Sequence, residues 1–211
     1  GNSAGWLHGI PIAIKDLFNA KGLATTLGSP LFQETGAQQD DPHVARIRAA
    51  GALIIAKTNV PEAGLGGHTR NALFGLTRNG LDRRLSAGGS SGGAATAVSS
   101  HMLPLADGSD MMGSLRTPAA FQGIVGFRAS AGAISAATDA VPPGLGLTSI
   151  GAMARNVRDV SALFTTLRDD PAAHRQSPRR PSGHLQGLRI GWLGDADGHW
   201  PMANGVLAQC Q

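Results

Sequence analysis

Apolar and polar residues alternate along GIPIAIK at residues 9–15, so that its three isoleucines fall on one face. A two-residue repeat of this kind predicts a β-strand, and a proline near the start of a strand is compatible with it. The run ends in Lys15, which we therefore expect at the end of a partly buried strand.

A helix followed by a strand is predicted next. Asp41 suits a helix N-cap, Pro42 suits the first helical position, an apolar stripe follows at helical spacing, and Gly51 ends the pattern. The apolar run LIIAK at residues 53–57 is typical of a strand that is buried on both faces. A helix and a strand in close succession indicate an α/β protein.

Three more elements are predicted in the second half of the chain. Residues 102–106 form a short run typical of a strand, and Asn156 with Asp159 resembles a capping box before an amphipathic helix. Residues 188–193 again have the character of a strand. Residues 169–187 are polar and rich in proline, as in a loop.

The composition is that of a globular protein, and it disfavours nucleic acid and membranes as partners. Of the 211 residues 42% are hydrophobic, and much of the net charge of +4 comes from an arginine-rich stretch without the interleaved aromatics of a nucleic-acid site. No apolar run reaches the ~18 residues that a membrane span needs, so neither nucleic acid nor a membrane is an expected partner. The single cysteine, Cys210, excludes an internal disulfide and predicts a reducing, cytoplasmic location.

The stretch SAGGSSGGAATAVSS at residues 86–100 has two interpretations. Its composition is that of a flexible linker. However, it leads into Ala94–Val98, which favours a helix, and a glycine-rich turn before a helix presents backbone N–H groups to an anion. The run lacks the Lys-Ser/Thr ending of a phosphate-binding loop, so a nucleotide site is disfavoured.

Two further features are compatible with nucleophilic catalysis. A Gly-Ser pair at residues 113–114, before a short predicted helix, places a hydroxyl where backbone N–H groups converge, although such pairs are also ordinary turns. Lys15 is either a lysine whose amine reaches solvent or a desolvated lysine whose lowered pKa lets it act as a base.

Histidine-dependent hydrolysis and metal chemistry are both disfavoured. No serine lies in a G-x-S-x-G turn, and the seven histidines are scattered along the chain. The carboxylates of Asp107, Asp110, Asp195 and Asp197 lack the spacing of a metal site, so we interpret them as solvated loop groups.

In combination these segments resemble the amidase signature family. The resemblance extends over roughly residues 6–168, and several long motifs in a fixed order are more specific than any one of them. In chain order, the motifs are WLHGIPIAIKDLF at 6–18, VARIRAAGALIIAKTNVPE at 44–62, FGLTRN at 74–79, AGGSSGGAATAV at 87–98, GSDMMGSLRTPAAFQGIVGFR at 108–128 and GAMARNVRDV at 151–160.

The resemblance implies an α/β fold, a three-layer α/β/α sandwich around a mixed central sheet, which is incomplete here because family members are usually more than twice as long. Residues 1–168 would form the first half of the family's core, residues 169–187 a polar Pro/Arg-rich loop, and residues 188–211 a strand and the start of the missing half. An unpaired sheet edge predicts association with a second copy of the chain or with a missing chain segment.

The implied activity is hydrolysis of a small-molecule carboxylic acid amide through an acyl-enzyme on serine, without a cofactor or a metal. Two alternatives stay open. In the first, the chain is a catalytically weak relic that serves in binding or assembly. In the second, it is an amidotransferase A-type subunit that passes ammonia to a partner.

The match to the motifs also implies the site residues. Lys15 corresponds to the general base, Ser90 to the serine that follows a cis peptide bond, and Ser114 to the nucleophile. The implied neighbours are an oxyanion hole made by the backbone N–H groups of Met111, Met112, Gly113 and Ser114, with Gly89 and Ser91 in supporting positions. Met112 stands where the family usually has glycine, and we expect its side chain to alter the oxyanion loop or to block a positive φ.

Overall fold

The computed structural model describes residues 5–130, 132–135, 146–168, 187, 189, 191–203 and 205–210. These residues belong to two compact units, residues 1–179 and residues 180–211. The helices and strands of the larger unit are, in chain order, β1 (Pro11–Lys15), α1 (Pro42–Ala49), β2 (Leu53–Thr58), β3 (Arg70–Asn71), β4 (Gly75–Leu76), α2 (Gly92–Ser99), β5 (Leu105–Asp110), α3 (Arg116–Phe121), β6 (Val125–Arg128), β7 (Ser149–Ala154) and α4 (Val157–Leu167).

Five strands of the larger unit, β1, β2, β5, β6 and β7, form a layer between two pairs of helices, whereas β3 and β4 form a separate antiparallel pair. β1 pairs in parallel with β2, β5 and β6 both pair antiparallel with β7, and β5 packs beside β1. The side chains of β7 alternate between two cores, because successive strand residues point to opposite faces. Ile150 and Ala152 pack in the core that contains the apolar residues of α1 and α4, whereas Met153 packs with α2 and α3. Helices therefore cover both faces of the strand layer.

The two long predicted helices are confirmed. α1 begins at Pro42 behind its N-cap Asp41, and Gly51, with φ +93°, follows its end. α4 begins behind Asn156, whose side chain accepts a hydrogen bond from the N–H of Asp159. The side chain of Asp41 makes no capping hydrogen bond, so the start of α1 follows from Pro42 at the first helical position, whereas α4 has the side-chain cap that its sequence predicts.

The prediction that LIIAK is buried on both faces was wrong. β2 forms where predicted, but Leu53 and Ile55 are 55% and 58% exposed. The reason is that β2 pairs only with β1 in the described part of the chain, so its outer edge and one face contact solvent.

The strand predicted at residues 102–106 lies further along the chain, at Leu105–Asp110. All six residues of β5 are buried, including the carboxylates of Asp107 and Asp110. The interpretation of these two aspartates as solvated loop groups was therefore wrong. β5 lies between β1 and β7, and buried hydrogen bonds replace the water that these carboxylates would otherwise bind.

The smaller unit contains α5 (Val206–Cys210) and a turn in which the N–H of Trp200 donates to the carbonyl of Asp195. Most of the predicted 169–187 loop and residues 188 and 190 of the predicted strand lie outside the described residues. The described residues 189 and 191–193 are not in a strand. No helix in the described ranges has the length and apolarity needed to cross a membrane.

Candidate active site

The amine of Lys15 lies at the centre of a buried cluster of hydroxyl groups. Lys15 ends β1, as predicted, and is fully buried. Its Nζ lies 2.8 Å from Ser90 Oγ, 2.8 Å from Ser91 Oγ and 2.9 Å from Ser109 Oγ, with the carbonyl oxygen of Ser109 at 3.3 Å. An ammonium has only three protons for these four oxygens, whereas a neutral amine also accepts a proton from one of the hydroxyls.

The pKa of Lys15 is compatible with a base that works near neutrality. Burial lowers the pKa of Lys15 from 10.5 to about 7, because the cost of desolvating the ammonium exceeds the opposing attraction of the Asp107 and Asp110 carboxylates. A substantial fraction of Lys15 is then uncharged at neutral pH.

Ser90 and Ser91 stand at the start of α2. The peptide bond between Gly89 and Ser90 is cis, as the family resemblance implies. The N–H of Ser91 donates to the carbonyl oxygen of Ser114 at 3.1 Å, which ties the lysine cluster to the segment of the predicted nucleophile.

The glycine-rich run is a packed part of the core and not a linker. A Cβ at Gly92 would lie 2.2 Å from Thr69 Oγ1, and one at Gly93 would lie 2.4 Å from the backbone nitrogen of Asn59. These glycines are therefore needed for the close approach of α2 to neighbouring segments.

Ser114 lies in a loop that is organised by the buried carboxylate of Asp110. Oδ1 of Asp110 accepts from the N–H of Gly113 at 2.8 Å, and Oδ2 accepts from the N–H of Leu115 at 3.1 Å. The guanidinium of Arg116 donates to both oxygens, at 2.9 and 3.0 Å. Burial alone would raise the pKa of Asp110, but the hydrogen bonds from Arg116 and from the backbone outweigh it and hold the pKa well below its usual range.

Three of the four N–H groups assigned to the oxyanion hole have no acceptor within the described ranges, namely those of Met111, Met112 and Ser114. The fourth, from Gly113, already donates to Asp110. Gly113 has φ +112° and Met112 does not have a positive φ, so the side chain of Met112 does not block the loop in the way that we expected. That side chain is 80% exposed.

Ser90, Ser109 and Ser114 line one cavity of about 410 Å³, with Met111 and Met112 at its wall. The side chains of Ser90 and Ser114 both line this cavity. The structure describes both residues and shows no hydrogen bond between these two hydroxyls. Of the residues predicted for the site, Gly89, Ser90, Met111, Met112 and Ser114 line this pocket, whereas Lys15, Ser91 and Gly113 do not. The Lys15 amine reaches the pocket only through its contact with Ser90 and Ser109. Within the described ranges no three His, Cys, Asp or Glu side chains group as a metal site.

Sequence reasoning missed several residues of this site. Ser109 contacts the Lys15 amine directly, Asp110 holds the Ser114 loop, and Asp107 accepts a hydrogen bond from the backbone N–H of Lys15. The sequence offered one signal for these residues, the polar run DGSD directly after the apolar residues of the predicted strand. The strand could have been extended through this run only by assuming that its polar side chains are buried.

The Amidase family model matches residues 1–211. The chain belongs to the Amidase family. It is 38% identical over 207 residues to the glutamyl-tRNA(Gln) amidotransferase A-subunit of Acidothermus cellulolyticus, with 94% of this chain and 41% of the relative covered. Over 195 residues it is 40% identical to the corresponding protein of Symbiobacterium thermophilum, with 89% and 40% covered.

Solved structures of Amidase family members have the same fold. The native peptide amidase of Stenotrophomonas maltophilia is 35% identical, with a TM-score of 0.72 over 84% of this chain and 38% of that one. The α/β fold class implied by the sequence resemblance is thus confirmed. This Amidase chain spans about 40% of the length of the curated relatives that it matches.

Proposed function

We propose that this Amidase chain carries the reaction centre of an enzyme that hydrolyses a carboxylic acid amide through an acyl-enzyme on Ser114. The observation that carries the proposal is the Lys15 amine, buried and within 2.8 Å of Ser90 Oγ, beside the cavity that Ser90 shares with Ser114. A serine hydroxyl is a weak nucleophile until a base takes its proton, and a desolvated lysine provides such a base.

In the acylation step, Ser114 Oγ forms a bond to the carbonyl carbon of the amide. Its proton passes to Ser90 Oγ while the proton of Ser90 passes to the neutral amine of Lys15, which becomes an ammonium. The carbonyl oxygen gains the negative charge of the tetrahedral intermediate. The N–H groups of Met111, Met112 and Ser114, which have no acceptor in the described part of the chain, are the donors available to that oxygen, and one such donor is typically worth about 3 kcal/mol.

In the second half of the reaction, the C–N bond breaks and the Lys15 ammonium returns its proton to the leaving nitrogen through Ser90. Ammonia or an amine leaves, and an ester links the acyl group to Ser114. Water then attacks the ester with Lys15 again acting as base, which releases the carboxylic acid and restores the Ser114 hydroxyl.

Reaction with a fluorophosphonate tests the nucleophile. The chain is expected to gain one adduct, which peptide mass mapping locates on Ser114, and Ser114→Ala is expected to abolish it. Ser100→Ala, which removes an exposed serine hydroxyl at the end of α2, is the matched control and should retain the adduct. An adduct on Ser91, Ser109 or a serine next to a histidine would contradict the assignment.

The pH dependence of this reaction tests the base. Since burial places the Lys15 pKa at about 7, the rate of adduct formation is expected to rise with pH through a midpoint near that value and then to level off. Below the midpoint Lys15 is protonated and accepts no proton. A midpoint at the ordinary lysine value of 10.5 would show that burial does not lower the pKa of the base.

A second candidate function is that of an amidotransferase A-type subunit, which passes the released ammonia to a partner. It is favoured by the curated relatives, at 38–40% identity, whose names describe them as glutamyl-tRNA(Gln) amidotransferase A-subunits. Co-purification of a stable partner from the source cell would support it. A complete lack of serine adduct in a folded chain would instead support the relic that serves in binding or assembly.

The cytoplasmic location stays a prediction from the single cysteine. The assignment of residues 1–168, 169–187 and 188–211 to a first half, a loop and the start of a second half is likewise a proposal, and it is compatible with the boundary between the compact units after residue 179.

A further inference from the structure

A buried aspartate–histidine pair lies behind Lys15, and the reaction proposed above does not use it. The backbone N–H of Lys15 donates to Asp107 Oδ1 at 2.8 Å. The other carboxylate oxygen, Oδ2, lies 3.3 Å from His43 Nε2. The side chains of Asp107 and His43 are both 0% exposed, so the pair is shielded from solvent.

The geometry of His43 identifies it as the donor of this pair. A carboxylate only accepts hydrogen bonds, so Nε2 of His43 carries the proton. The other ring nitrogen, Nδ1, is buried and has no partner in the described part of the chain. An unpaired lone pair is tolerated there more readily than an unpaired N–H. Phe18 packs edge-on against the imidazole at 4.5 Å between ring centroids and fixes its orientation.

We propose that Asp107, held by His43, is a positioning residue that sets the basicity of Lys15. The inference rests on the proposed function of Lys15 as the base. Asp107 acts in two ways, because it anchors the backbone of Lys15 and because its negative charge favours the protonated amine. His43 supplies a hydrogen bond to the carboxylate, and a buried carboxylate needs such partners in place of the water that it has lost.

The charge on Asp107 adds to the effect of a second carboxylate. Asp110 also favours the protonated amine, but its charge is already engaged by two arginines. The titratable and charged groups around Lys15 are Asp107 and Asp110 from β5, His43 from α1, Arg116 from α3, Arg128 from β6, and Asp16, which follows Lys15 and pairs with Lys57 of β2.

Asp107→Asn is the decisive variant, because it removes the charge and keeps the shape. Its amide oxygen still accepts from the N–H of Lys15, and its NH₂ group donates to Nε2 of His43 once the ring proton moves to Nδ1. Loss of the negative charge is expected to lower the midpoint of the fluorophosphonate pH profile by about one pH unit. Asp82→Asn, which removes a carboxylate from the surface turn at residues 82–84, is the matched control and should leave the midpoint unchanged.

The His43 variants separate positioning from packing. His43→Leu removes the donor but still packs against Phe18, and it is expected to lower the midpoint in the same direction as Asp107→Asn. His43→Gln keeps an N–H donor and should restore the midpoint of the wild type. In the double variant Asp107→Asn/His43→Leu the shift should not exceed that of Asp107→Asn alone, because both changes act through one charge.

A direct titration of Lys15 makes the test independent of the reaction. The chain has only three lysines, Lys15, Lys21 and Lys57, so the side-chain NMR signals of a lysine-labelled sample can be assigned by loss of one signal in Lys15→Met. The titration midpoint of the Lys15 signal is expected to lie about one pH unit lower in Asp107→Asn than in the wild type, which is a tenfold weaker affinity of the amine for its proton. An unchanged titration in folded Asp107→Asn overturns the inference. If the wild type forms no Ser114 adduct, the proposed function fails, and the NMR titration still decides the role of Asp107.

Discussion

Lys15→Arg is expected to suppress the reaction of Ser114 with a fluorophosphonate by about 10³-fold or more. Arginine keeps a positive charge at working pH and cannot accept the proton that passes through Ser90. Lys15→Met is expected to be equally unreactive, because its thioether is not a base. The rate of adduct formation at mildly alkaline pH, followed by intact mass, measures both variants.

The stability of these variants distinguishes loss of the base from loss of the fold. Methionine fills nearly the volume of lysine without requiring a desolvated amine, so Lys15→Met is expected to unfold at a temperature no lower than that of the wild type. Lys21→Met changes an exposed lysine and should react at the normal rate. Near-normal reactivity of Lys15→Arg would exclude Lys15 as the base, and the hydroxyl cluster would then need another proton acceptor.

Asp110→Asn is expected to destabilise the chain by about 3 kcal/mol and to reduce adduct formation strongly. The carboxylate is completely buried and accepts hydrogen bonds on both oxygens from the Ser114 loop and from Arg116. An asparagine must place an NH₂ group against at least one of these donors. The loop that presents Ser114 and the free N–H groups would therefore lose its main support.

Chemical denaturation at several pH values checks this second prediction. Because the folded pKa of Asp110 lies below the ordinary aspartate value of about 3.9, its contribution to the free energy of unfolding is complete above that value and is lost as the pH falls through the folded pKa. Asp110→Asn should remove this part of the acid sensitivity. Arg116→Ala retains the backbone donors and has a side chain that is 58% exposed in the wild type, so it should cost only about 1 kcal/mol. Equal losses in Asp110→Asn and Arg116→Ala would show that the loop does not depend on the buried carboxylate.

The sequence was sufficient for features that depend on neighbouring residues. The alternation in GIPIAIK predicted β1, and the caps at Asp41 and Asn156 predicted α1 and α4, because strand faces and helix starts are determined within a few residues. Motif order was enough to indicate the family, since several long matches in one order rarely arise together. It also named Lys15, Ser90 and Ser114, which remain the residues of the proposed reaction.

Only the tertiary structure decided what these residues contact. Ser90 lies 75 positions after Lys15 in the chain and Ser109 lies 94 after it, and no local pattern indicates that their hydroxyls meet around one amine. The burial of Asp107 and Asp110, the occupied N–H of Gly113 and the exposed face of β2 likewise depend on which strands become neighbours. Desolvation and charge pairing are sums over all surrounding atoms, so the basicity of Lys15 is determined by the assembled fold and not by the residues adjacent to it in sequence.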